Sequence, residues 1–120
     1  MSNWDFINNY GDLRNWGKLD SADIKIEGAG TQCGDVINLY IKLENGIIKD
    51  AKFDGDACIL STISADIFLS KIIGMNIKDT VKISENSYLE EFPINVSPGR
   101  IGCVLLPLRT LKRSEYGKYC

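Results

Sequence analysis

Four cysteines and no histidine bound the chemistry open to this chain of 120 residues. Cys33, Cys58 and Cys103 are spread through it, Asp35 stands two residues past Cys33, and Cys120 is the last residue. Without histidine, neither a Cys–His dyad, nor a Ser-His-Asp triad, nor a histidine-ligated metal site can be built from the chain alone. Thiolates, carboxylates, lysines and arginines remain. Three thiolates gathered in one place repel one another unless a cation joins them, and soft sulfur favours zinc or iron–sulfur over magnesium or calcium. Asp35 is the obvious fourth group. A hard carboxylate beside three thiolates binds more weakly than a fourth cysteine, which suits a site meant to release its cargo. Cys120, tethered by the soft tail 114–119, competes for the same role. Against these readings stands a bland one, in which each cysteine is a small buried hydrophobe, Asp35 caps a turn, Cys120 is an exposed tail thiol and Arg100 is a solvated charge.

The elements that must position these groups are legible in the periodicity. Residues 4–10 place Trp4, Phe6, Ile7 and Tyr10 at helical spacing. Ala22 to Glu27 alternates as a first strand, and the glycine-bearing loop 28–34 leads through Cys33. Ile37, Leu39, Ile41 and Leu43 alternate with polar residues, as a half-buried strand requires. Asn45-Gly46 is a strong hairpin signal. Beyond it Ile47, Ala51 and Phe53 share one parity. From Leu60 the period turns helical through Ile63, Ile67, Phe68 and Ile72, with Gly74 as a stop. Shorter helical pieces are expected at 76–80 and 86–92, then a connector at 93–99. A last helix carries Leu105, Leu108 and Leu111, with Pro107 marking either its start or a bend. The whole reads as one domain over 1–120, α+β in class: a two-layer sandwich of a three-stranded antiparallel sheet covered by helices.

The hairpin supplies a geometric argument for the cysteines. Cys33 and Cys58 lie equally far from the Asn45-Gly46 turn, so an antiparallel pair would bring them to the same open end. Cys58 directly precedes the Leu60 helix, and Cys103 lies in or just before the first turn of the last one. Free N–H groups at helix starts favour negative charge on sulfur.

Composition sets the remaining bounds. The 14 basic and 16 acidic residues nearly cancel, so neither nucleic acid nor an anionic membrane is expected as a partner. No apolar stretch approaches the roughly 20 residues that span a bilayer. The first residues have neither the basic region nor the apolar run of a signal peptide, so a cytoplasmic location is expected, where the cysteines stay reduced.

Three ordered pieces resemble the iron–sulfur cluster scaffold family that includes IscU, the N-terminal domain of NifU, and SufU. They are Cys33-Gly34-Asp35, then Ile48-x-Asp50-Ala51-x-Phe53-x-Gly55-x-x-Cys58 leading into the Ser61 to Ala65 helix, then Arg100-Ile101-x-Cys103. Arg14-Asn15-x-Gly17 resembles the family's turn near the start. The resemblance covers about residues 6–113, and the short gap between Cys58 and Cys103 points to the IscU-like branch. It implies a scaffold or carrier rather than an enzyme, on which a [2Fe–2S] cluster is built from iron and sulfur and handed to recipient apoproteins. It implies a cysteine desulfurase partner, Cys103 as persulfide acceptor, Cys33, Cys58 and Cys103 as ligands, and Asp35 as a ligand or the source of lability. A homodimer sharing one cluster is compatible with it. A zinc-bound sulfur acceptor of the SufU kind is the alternative. The chain departs from the pattern at Gly102, where IscU proteins usually carry histidine and SufU proteins a basic residue, and at Asn9. Ser97-Pro98-Gly99-Arg100 replaces the proline-proline-valine-lysine segment read by a chaperone.

Overall fold

The computed structural model describes residues 10–29 and 35–113. Three strands form an antiparallel sheet in the order β1 (Ile24–Ala29), β2 (Val36–Glu44), β3 (Ile47–Asp56). Helices α1 (Ile59–Ile72), α2 (Ile77–Thr80) and α3 (Glu85–Glu91) follow, then a 3-10 turn (Pro98–Arg100) that runs into α4 (Ile101–Lys112). The α+β, two-layer expectation holds. The residues 4–9 of the expected N-terminal helix lie outside the described residues.

Alternation builds the inner sheet face. Ile37, Leu39 and Ile41 of β2 and Ile48, Ala51 and Phe53 of β3 are all essentially inaccessible. The Asn45-Gly46 turn forms as expected, with both residues at positive φ (55° and 81°), the twist a tight hairpin requires. The register then slips. Lys42 pairs with Asp50 but Leu43 pairs with Ile48, so Lys49 is an extra residue and the strand carries a bulge. Asp50 supports it by accepting the Ala51 N–H at 2.8 Å. The slip corrects one expectation: Ile47 does not share the inward face with Ala51 and Phe53. Ile48 is buried, and Ile47 is 40% exposed.

The first strand runs two residues later than its alternation suggested, so Gly28 and Ala29 belong to β1 rather than to the loop. Gly28 is where α4 crosses the sheet: a Cβ there would lie 1.8 Å from Thr110 Oγ1. The helical layer closes the core with Phe68, Leu69 and Ile72 of α1 and Leu105, Leu108 and Leu111 of α4. Helix α4 starts at Ile101, so Pro107 lies inside it and does not open it.

The outer edge of β3 is covered rather than left as an open template. Phe53 exchanges backbone hydrogen bonds with Asn15 and Gly17 at 2.8 Å each, and Ile48 does the same with Gly74 and Met75 at 2.8 Å each.

Candidate metal centre

Val36 pairs with Asp56, so the residue entering β2 and the residue leaving β3 stand at the same end of the sheet. Two residues beyond Asp56 comes Cys58, the N-cap of α1, whose sulfur accepts the Ser61 N–H at 3.5 Å. A cap with no acidic first turn leaves the positive end of the helix dipole to that sulfur. Helix α4 begins at the same site and carries Cys103 in its first turn.

Between the two cysteines lies Asp35. It is 6% exposed, so it does not face solvent. Its Oδ1 accepts the Cys58 N–H at 3.0 Å, and its Oδ2 accepts the Ser61 hydroxyl at 3.2 Å. One ligand atom from each of Asp35, Cys58 and Cys103 lies within 4.8 Å of the others, and among the described residues this is the one group of that kind. Both cysteines are thiols and half-buried. The β3 bulge moves the hairpin register by one residue relative to a count from the turn. What the structure brings to Cys58 is Asp35. Cys33 and Cys120 lie outside the described residues.

The donor set can be tested against the ions it would suit. Tetrahedral thiolate coordination at about 2.3 Å puts neighbouring sulfurs about 3.8 Å apart. The observed group needs to contract by no more than roughly 1 Å, within side-chain rotation. Two soft thiols and one carboxylate fit zinc or iron and do not resemble the all-oxygen cages of calcium or magnesium. Gly102 projects nothing into this space. It is exposed, and a Cβ there would meet only Arg109 Nη1, at 3.9 Å. Arg100 is exposed, as expected of a solvated charge.

Sequence reading missed the buried polar residues of α1, of which Ser61 is the one that touches the site. Ser61, Ser64 and Asp66 are fully buried. Ser61 Oγ lies 3.5 Å from Cys58 Sγ, 3.2 Å from Asp35 Oδ2 and 3.0 Å from the Cys103 carbonyl. Ser64 Oγ donates to the Val104 carbonyl at 2.5 Å and lies 2.8 Å from the Tyr88 hydroxyl. Burial pushes the Tyr88 phenol well above its ordinary value, so it stays a neutral partner. The available signal was four polar residues, Ser61, Thr62, Ser64 and Asp66, within six positions of a helix that carries the apolar stripe.

Residues 3–115 match the family model of the NifU-like N terminal domain. The chain belongs to that family, in its IscU-like branch. The "Iron-sulfur cluster assembly scaffold protein IscU" of Thermotoga maritima is 38% identical over 114 residues, covering 82% of this chain and 80% of that one. The protein of the same name from Haemophilus influenzae is 32% identical over 111 residues, covering 88% and 86%. The "Zinc-dependent sulfurtransferase SufU" of Bacillus subtilis is 34% identical over a shorter stretch of 79 residues, 66% of this chain and 53% of that one. Among solved structures, a SUF-system scaffold candidate from Fervidobacterium islandicum superposes with a TM-score of 0.75 at 28% identity, covering 93% of each chain. The N-terminal NifU-like protein of Brucella abortus, at 18% identity and a TM-score of 0.69, shares the fold. At the level of the family, then, the function is that of NifU-like scaffolds and sulfurtransferases in iron–sulfur chemistry.

Proposed function

We propose that this chain is a scaffold on which a labile [2Fe–2S] cluster is assembled from iron and persulfide sulfur and then passed to recipient apoproteins. The observation that carries this reading is the convergence of Cys58, Cys103 and a buried Asp35 within 4.8 Å, at the starts of two helices. Cys33 completes the thiolate set: it precedes Asp35 by two residues, which tethers it to within about 7 Å of chain. Asp35 gives each oxygen to a hydrogen bond before any ion arrives, so it is a weak donor to iron. A site closed by a weak donor releases its cargo.

Sulfur enters by thiol exchange with a cysteine desulfurase. The Cys103 thiolate attacks the outer sulfur of the desulfurase persulfide. The new S–S bond forms on Cys103, the old one breaks, and the desulfurase cysteine leaves as its thiolate. Conversion of that sulfur to sulfide takes two electrons per atom, supplied by an external reductant. The setting proposed is the cytosol, with a fourth ligand to the cluster from Asp35, from Cys120, or from a second copy in a cluster-bridged homodimer.

Anaerobic loading with ferrous iron, sulfide and a thiol reductant tests the reading. The expected result is a coloured protein with two irons and two sulfides per cluster, and loss of that colour in each of Cys33→Ser, Cys58→Ser and Cys103→Ser. A colourless product from folded wild-type protein would overturn it. The same donor set suits zinc, and the likeness to a zinc-dependent sulfurtransferase supports a second reading as a zinc-bound sulfur acceptor. Stoichiometric zinc without sulfide in anaerobically purified protein, together with stimulation of a desulfurase, would favour that one.

A further inference from the structure

Pro107 sits four residues past Cys103, inside α4. A proline has no N–H, so it cannot give the Cys103 carbonyl the bond that an ordinary helical residue at that position supplies. A donor to this carbonyl comes from the neighbouring helix: Ser61 Oγ, at 3.0 Å. The next carbonyl, of Val104, is met in the same way by Ser64, one turn along α1. Two fully buried serines on one helix thus address two consecutive carbonyls in the turn before the proline of the other.

The two serines differ in what else they touch. Ser64 meets Tyr88, away from the sulfur ligands. Ser61 meets Asp35 Oδ2 and Cys58 Sγ, and through the carbonyl it also meets Cys103. We infer that Ser61 is a positioning residue of the metal centre, one hydroxyl that Pro107 recruits to α4 and that holds Asp35, Cys58 and Cys103 in register. This rests on the proposed function for its consequence, though not for its geometry. A ligand whose outer hydrogen bonds are removed samples more orientations, and removal of such a bond typically costs ten- to a hundredfold in metal affinity. A hydroxyl has a single proton, so donation to Asp35 and to the Cys103 carbonyl alternate. The group can turn to whichever acceptor the bound ion leaves.

The probe is cobalt(II), whose thiolate charge-transfer bands report ligation directly. Wild type, Ser61→Ala, Ser64→Ala, Pro107→Ala and the Ser61→Ala/Pro107→Ala pair are loaded anaerobically and challenged with a chelator, and urea unfolding of each metal-free protein is measured in parallel. Ser61→Ala should release cobalt roughly tenfold faster with altered bands. Ser64→Ala, which removes the equivalent bond one turn away, should lower the urea midpoint yet release cobalt at the wild-type rate. The stability lost on Ser61→Ala should shrink in the Pro107→Ala background, where residue 107 regains an N–H for Cys103. Equal release from Ser61→Ala and wild type, or from the two serine variants, overturns the positioning role. Absence of coupling between Ser61 and Pro107 overturns the recruitment. If wild type takes up no cobalt the scaffold reading is what fails, and the metal-free stability cycle still decides whether Ser61 and Pro107 act as a pair.

Discussion

Asp35 gives both carboxylate oxygens to neighbours within the site, Oδ1 to the Cys58 N–H and Oδ2 to the Ser61 hydroxyl. A buried carboxylate needs such donors, because a charge held away from water without partners is costly. The same bonds hold the carboxylate in place, with one oxygen within 4.8 Å of both sulfurs. In Asp35→Ala the Cys58 N–H loses its acceptor and the donor set loses the one oxygen it has among the described residues. The expected outcome is cobalt release faster by about tenfold, with the remaining bands shifted by the change of ligand. Stopped-flow chelator competition measures it, and release at the wild-type rate would show that Asp35 caps the helix start without ligating. Gly102 has no side chain to offer as a ligand, which makes the dependence on Asp35 sharper in this chain.

At the scale of elements, the site depends on how β3 ends and α1 begins. Gly55 has a φ of +139°, and a Cβ there would sit 2.2 Å from the Val36 carbonyl oxygen. Only glycine lets the two strands approach so closely just before the chain turns toward Cys58. Gly55→Ala should therefore cost about 2 kcal/mol or more in urea unfolding. A loss under half of that would mean the strand end relaxes freely. Much of this architecture was legible in the sequence. The alternation from Ile37 to Leu43, the Asn45-Gly46 turn and the helical stripe from Leu60 each follow from side-chain periodicity, and each formed as read. The bulge was not legible. Its extra residue, Lys49, breaks a parity that either Ile47 or Ile48 could have continued, and tertiary burial chose Ile48. The same slip moves the hairpin register by one residue, and at the open end it is Asp35 that the structure sets beside Cys58. The enclosure of the Ser61 hydroxyl was not legible either, because only the packing of α4 over α1 shows it.

The molecule as a whole is held together by a second buried carboxylate, on the same helix as Ser61 but serving a different partner. Asp66 accepts the backbone N–H groups of Arg14 at 3.0 Å and Asn15 at 2.8 Å and the Tyr10 hydroxyl at 2.8 Å. Asn15 returns the contact with its amide, donating to the Asp66 carbonyl at 3.0 Å and to Ser70 Oγ at 2.8 Å. The Arg14-Asn15-x-Gly17 turn is thereby pinned to α1 on one side. On the other side it pairs with Phe53, where Trp16 stacks edge-on at 5.3 Å between ring centres. This one segment thus ties the helical layer to the sheet edge and screens that edge from other chains. Its anchor has no apolar substitute, because the buried Asn15 N–H would be left without its acceptor. Asp66→Ala should destabilise the fold by about 3 kcal/mol. Asp66→Asn, which keeps one acceptor oxygen for those amides, should cost roughly a third as much. The discriminating measurement is amide hydrogen exchange at Arg14 and Asn15 alongside urea unfolding. In the alanine variant those two amides should lose protection well before the β2–β3 ladder does. If instead they exchange together with the ladder at an unchanged midpoint, the segment is held by Trp16 and the Phe53 pairing, and Asp66 is not its anchor.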